Sequence, residues 1–221
     1  MGSDNGAKLH DSGLPVMTDA EKKPSYTGLV GFTLVPLALG TAIAFAVYTF
    51  GPTATYDARI KTLLANDLHW ACLAMVVLGR TVAFVNTYPL VHKSQIMRGN
   101  SGNLRSNPFI YKAIGKDAKE NAIVFNEEGH VGAYNRANRS LHHMIENYGV
   151  VVAGLFLAST VFAFPAFVLV CVFAVGRIVH QVGYTTGYGG HGGGFALALL
   201  ATITLEGLLA FLGLKGLHVI P

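Results

Sequence analysis

Five apolar runs constrain this chain most tightly: Gly28 to Tyr48, Leu68 to Val91, about Tyr134 to Phe162, Ala166 to Tyr184, and Phe195 to Leu214. A helix needs about 20 apolar residues to cross the hydrocarbon core of a bilayer, and these runs are of that order. Pro36 lies inside the first run, where neighbouring helices can accommodate a kink; Phe50, Gly51 and Pro52 end it. Phe164 and Pro165 mark a tight hairpin between the third and fourth runs, and a glycine-rich link, Gly187 to Gly194, joins the fourth to the fifth. The expected fold is all-α: a polytopic membrane protein of five spans. Composition agrees, since 52% of the 221 residues are hydrophobic and only 13% are charged. A soluble domain carries about a quarter charged residues.

Three regions follow. Residues 1–25 form a polar tail without the apolar core of a secretory signal, and Gly6 stands where a myristoylation motif on Gly2 needs Ser or Thr. Residues 26–66 hold the first span and a short polar loop with Arg59 and Lys61. Residues 67–221 hold the other four spans, as an up-down-up-down bundle interrupted by a long hydrophilic insert at 92–130, with the first span packed outside it. Cys72 and Cys171 both fall in apolar segments and read as buried structural thiols rather than a disulfide framework.

The formal charge of +4 is a loop bias rather than a nucleic-acid footprint. Lys8, Lys22, Lys23, Lys93, Arg98, Arg105, Lys112, Lys116 and Lys119 share the face of the N-terminus and the insert; Arg59, Lys61 and Lys215 share the other. The positive-inside rule makes the first face cytoplasmic, or stromal or matrix in an organelle, and an internal span can serve as the targeting signal.

Charges inside an apolar span are costly and mark pairs or functional sites. In Tyr134 to Tyr148, YNRANRSLHHMIENY, helical spacing puts Arg139, His143 and Glu146 on one face at i, i+4 and i+7. That face is a polar ligand site or a set of braces between helices. In Arg177 to His191, RIVHQVGYTTGYGGH, Arg177, His180 and Tyr184 share a face and His191 follows in a loop that glycines keep mobile. Both stretches open on the basic face. Arg80, mid-span, reads equally as a brace to Glu146 or Glu206 and as an anion contact. Four histidines and a glutamate on one surface also permit a metal. Without HExxH-type spacing, hydrogen-bonded histidines are favoured and no metal is assigned.

Together these two stretches resemble the MAPEG family of membrane proteins in eicosanoid and glutathione metabolism, in particular its microsomal glutathione transferase 3 branch. Tyr134, Arg136, Arg139 and Glu146 match the first family pattern, and Arg177, Gly183, Tyr184, Thr186 and Gly187 the second, over roughly residues 68–214. The resemblance implies a four-helix left-handed bundle, a homotrimer, and glutathione as co-substrate between neighbouring subunits. Arg136, Arg139, His143, Glu146, Arg177, His180 and Tyr184 would bind it. Arg139 would hold a carboxylate by a bidentate contact, Glu146 the amino group, and Tyr184 would help fix the tripeptide.

The departures bear on activity. His143 replaces the family's Asn, His180 a Tyr, and Asn147 the Tyr after the Glu; by spacing, His191 stands where the family has the arginine that stabilises the thiolate. Arginine keeps its charge at any relevant pH, whereas histidine loses it near neutrality. Two expectations follow. One is a glutathione-dependent transferase or peroxidase acting on lipophilic substrates, with His191 and Tyr184 as its catalytic residues. The other is a catalytically degenerate scaffold subunit of a larger respiratory or photosynthetic membrane complex, with the first span and the insert as docking surfaces. A lipid- or pigment-binding protein is a third, weaker reading.

Overall fold

The computed structural model describes residues 8–10, 13–97, 107–114 and 122–221. Gly2 and Gly6, and Arg98, Arg105, Lys116 and Lys119 of the topology argument, lie outside the described residues. In chain order stand α1 (Thr27–Phe50), α2 (Thr53–Ala65), α3 (His69–Lys93), the strands β1 (Tyr111–Ile114) and β2 (Ala122–Phe125), α4 (Gly129–Thr186) and α5 (Gly192–Gly216). Among the described residues α1, α3, α4 and α5 are long and apolar enough to cross a membrane.

The 58 residues of α4 are too many for one crossing. Straight, they would run about 87 Å at the helical rise, against about 30 Å of hydrocarbon. The helix instead folds back at Phe162, whose φ of −118° and ψ of 50° are non-helical, just before Pro165. Bonds between the arms set the register: Arg136 Nε donates to the Thr185 carbonyl at 3.1 Å, Gln181 Nε2 to that of Ala137 at 2.9 Å, and Arg177 Nη2 to that of Ser140 at 2.9 Å. The third and fourth expected spans are therefore the arms of one helical hairpin, 129–161 and 163–186.

The two arms pack with α3 and α5 around one core, in which Leu78 and Val85 meet Met144, Val151, Leu155, Phe173 and Leu205. Trp70 lies edge-on to Phe164, with ring centroids 4.9 Å apart, so the start of α3 and the turn of α4 share one end of the bundle. The second arm and α5 come almost to backbone contact. A Cβ on Gly194 would lie 2.3 Å from the His180 backbone nitrogen, and one on Gly176 would lie 2.5 Å from that of Ala198. Lipid tails are as apolar as leucine, so helices in a bilayer associate through such close packing rather than through hydrophobic drive.

As expected, α1 lies outside this bundle. Its Leu29 packs with Tyr88 and Val91 of α3, while Phe32, Val35, Leu39 and Phe45 face outward. Arg80 belongs to this contact. It donates to the Thr33 carbonyl at 2.7 Å, one turn before Pro36, so its brace runs to α1 and not to Glu146 or Glu206. A backbone carbonyl accepts from a guanidinium without a carboxylate having to be buried with it.

Two expectations need correction. The segment expected as a polar loop is the helix α2, on which Tyr56, Ile60, Leu63 and Leu64 form an apolar stripe beside Asp57, Arg59 and Lys61. Helical spacing hides such a stripe when charges interleave it. Cys72 is exposed on the outside of α3 and only Cys171 is partly buried; an outward-facing thiol is unremarkable where the surroundings are lipid.

At the other end, the tail and the insert make a cap. β1 and β2 pair antiparallel, Tyr111 opposite Phe125. The fully buried Asn135 amide donates to the Ile110 and Asn126 carbonyls at 2.7 and 2.8 Å and accepts from Ile110 N–H at 2.9 Å. Tyr134 donates to the Pro108 carbonyl at 2.8 Å, and Leu14 of the tail packs on a cluster of Ile96, Met97 and Tyr134.

Candidate functional site

Below this cap, a cleft of about 180 Å³ opens between the two arms of α4 and the start of α5. Arg139, Ser140 and His143 come from the first arm, His180 and Tyr184 from the second, and His191 and Phe195 from the start of α5. Gly183 and Gly190 bring the walls this close: a Cβ on Gly183 would stand 2.1 Å from the Gly190 carbonyl oxygen. The link expected to be mobile is thus pinned, with His191 as the N-cap residue of α5.

Arg139 and Glu146 form an ion pair at 2.9 Å, each side chain about half exposed. Arg177 is 1% exposed, and its Nη1 lies 2.7 Å from His143 Nδ1. A guanidinium can only donate, so this His143 nitrogen is bare and the ring proton sits on Nε2. Ser140, absent from the sequence-based set, joins both walls, with Oγ 2.9 Å from His180 Nδ1 and its carbonyl accepting from Arg177.

The rings stack rather than converge on a point. His180 lies between His143, at 5.4 Å, and Tyr184, at 5.5 Å and nearly parallel to it. His191 meets both His180 and Tyr184 edge-on, at 5.6 and 5.0 Å. Among the described residues no three His, Cys, Asp or Glu side chains gather as a metal would need. The fourth histidine of the sequence argument, His142, turns away: it donates to the Asn138 carbonyl at 2.8 Å and packs on Phe109 of the insert. Two neighbours on a helix project about 100° apart, so His142 and His143 could not both face the cleft.

A family model described as the MAPEG family matches residues 72–211. The chain belongs to the MAPEG family. No curated protein and no solved structure matches it. Membership points to a membrane protein of glutathione or eicosanoid metabolism. In this MAPEG protein the matched segment contains most of the bundle and the whole cleft, while α1 and α2 lie ahead of it.

The MAPEG resemblance also groups Arg136 with the ligand set, and the geometry gives that residue other contacts. Its Nη1 donates to the Glu127 carbonyl at 3.0 Å, and its guanidinium lies 6.0 Å from the Tyr188 ring centroid. Tyr188 in turn donates to the Glu127 carboxylate, which holds its phenol up at about 12. Glu127, Arg136 and Tyr188 therefore latch the end of the insert onto the link that carries His191. Sequence reasoning missed Glu127 and Tyr188 because neither belongs to a periodic pattern.

Proposed function

We propose that this protein is a glutathione-dependent transferase or peroxidase acting on lipophilic substrates, akin to the microsomal glutathione transferase 3 branch of its family. The observation that carries this reading is the Arg139–Glu146 ion pair, of which Arg139 lines the cleft. Glutathione's γ-glutamyl end offers a carboxylate and an ammonium side by side. A half-exposed Arg–Glu pair can exchange its mutual contact for those two groups, guanidinium to carboxylate and carboxylate to ammonium, with little change in net charge. His143, His180 and Tyr184 then line the path of the tripeptide toward His191, with Arg136 and Arg177 bracing the walls.

Catalysis requires thiolate at the cleft. In this reading Tyr184 and His191 orient or deprotonate the thiol, with His191 in the role the family gives to an arginine. The protein is proposed to work as a homotrimer in an endoplasmic reticulum or organelle membrane, with its N-terminal tail and insert on the cytoplasmic, stromal or matrix side. Calorimetric titration of glutathione into the purified protein in detergent tests the reading, which predicts saturable binding that Glu146→Gln weakens.

A second reading, a scaffold subunit of a larger membrane complex, is favoured by one observation. The β1–β2 ribbon presents Tyr111 and Ile123 outward, 55% and 73% exposed. Absence of glutathione binding, together with co-purification of partner subunits through this ribbon, would support it instead.

A further inference from the structure

α5 carries one charged side chain far from either of its ends, Glu206. It stands about 3 Å along the axis from the middle of the helix. With the helix centred in about 30 Å of hydrocarbon, about 12 Å separates it from the nearer surface. The residue points away from the bundle: it is exposed, while Leu205 beside it is buried in the core. Among the described residues it has no hydrogen-bond or ion-pair partner. Thr202 and Thr204, the nearest hydroxyls along the helix, donate to the Ala198 and Leu200 carbonyls at 2.9 and 2.7 Å. Ionisable residues inside spans almost always face a bundle interior or a partner, so one that faces outward marks a surface for something else.

We propose that the outer face of α5 around Glu206 docks a transmembrane helix of another protein that carries a lysine or arginine at mid-span. Charge selects this occupant. Lipid tails bring no cation to that depth, and a second copy of this chain brings no free one. The arginines on its span helices are committed: Arg80 to the Thr33 carbonyl, Arg136 to the cap, Arg139 to Glu146, and Arg177 between the arms of α4. Lys93 and Lys215 stand at helix ends. The face also suits a helix. Leu199, Ile203, Ala210 and Gly213, at i−7, i−3, i+4 and i+7 from Glu206, are all exposed. A Cβ on Gly213 would meet nothing within 4 Å, and small residues of this kind let a second helix approach closely in a bilayer. This surface goes beyond the glutathione reading, because it lies outside the cleft and its occupancy needs no thiol.

The test uses the full-length protein in nanodiscs of phosphatidylcholine, with its single tryptophan, Trp70, as energy donor. The probe is a dansyl-labelled, tryptophan-free peptide of leucine and alanine, long enough to cross the bilayer once, with one lysine at its centre. Saturable energy transfer at one peptide per chain is expected, and at least fivefold weaker association when leucine replaces the lysine. Glu206→Gln should weaken the lysine peptide at least fivefold with no change in unfolding temperature. Glu206→Lys should invert the preference, favouring a peptide with a central glutamate. No saturable transfer would overturn the proposal. Equal association of the lysine and leucine peptides would reduce the face to an uncharged apolar surface, and an unaffected Glu206→Gln would place the peptide elsewhere; each overturns it. Protein that self-associates without peptide, and that Glu206→Gln dissociates in light scattering, would make the occupant a second copy and overturn it too. Glutathione titrated into the same discs separates the readings: peptide bound without glutathione leaves this surface standing and removes the other.

Discussion

Arg177 donates to the bare Nδ1 of His143 at 2.7 Å, across the two arms of α4. The acceptor matters because the guanidinium is buried and its other partner is a carbonyl. His143→Ala should destabilise the protein by about 1–3 kcal/mol, the usual cost of a buried polar group losing its partner. His143→Asn, the family's own residue here, restores an acceptor and should recover most of that loss. Thermal unfolding in detergent reads the difference, and equal effects of Ala and Asn would rule out the bond as the cause.

The glycine seam predicts a contrast between positions. Gly194→Ala sets a methyl against the His180 backbone, which cannot step aside, whereas Gly154→Ala meets the side chain of Leu205 first, at 2.8 Å. Overpacking of the first kind costs about 1–3 kcal/mol or more, and a flexible leucine relieves much of the second. Unfolding temperatures should therefore fall for Gly194→Ala and move little for Gly154→Ala. The reverse order would contradict the packing.

Because the Arg139–Glu146 pair is solvated, its worth to the fold is small. Glu146→Gln should leave the unfolding temperature within a degree or two of wild type and lower glutathione affinity at least fivefold. Unchanged affinity would remove the pair from the ligand site.

At His191 an imidazole stands where the family has an arginine, whose fixed charge and forked donors stabilise a thiolate better. Weak transferase turnover is expected, and His191→Arg should raise the rate. Robust wild-type turnover that His191→Ala leaves intact would assign thiol activation to another group.

Tyr188 supplies a titration signature. Its hydrogen bond to Glu127 raises the phenol to about 12, so the folded protein holds that proton more tightly than the unfolded chain does. The latch should contribute fully below about pH 10, the ordinary tyrosine value, and be lost as pH rises toward the raised one. Tyrosinate absorbance, wild type minus Tyr188→Phe, should show the late step, and Glu127→Gln should bring it back toward the ordinary value. A Tyr188 step already at the ordinary value in wild type would mean that the latch is open.

What could be read before the fold was known depended on how local the cause was. Span positions, the turn before Pro165 and the shared face of Arg139 and Glu146 follow from run length and helical period, which a single segment reveals. The partner of Arg80 is not legible in the sequence because its acceptor, the Thr33 carbonyl, is backbone and carries no residue-type signal. α2 was missed because its charges interrupt a stripe of only a few residues. The tail's packing through Leu14 needs Ile96, Met97 and Tyr134, which come together only in the fold. At the site, ring spacing and the roles of Ser140, Glu127 and Tyr188 depend on contacts between the arms of α4, the insert and the start of α5.

The bond from Arg80 to the Thr33 carbonyl bears on how the chain is made. An arginine near the middle of a span costs about 2.5–3.5 kcal/mol on insertion by the translocon. α1 leaves the ribosome before α3, so the acceptor is already in the membrane when the guanidinium arrives. The loosely attached first helix thereby acts as a receiving partner for the charged helix synthesised after it.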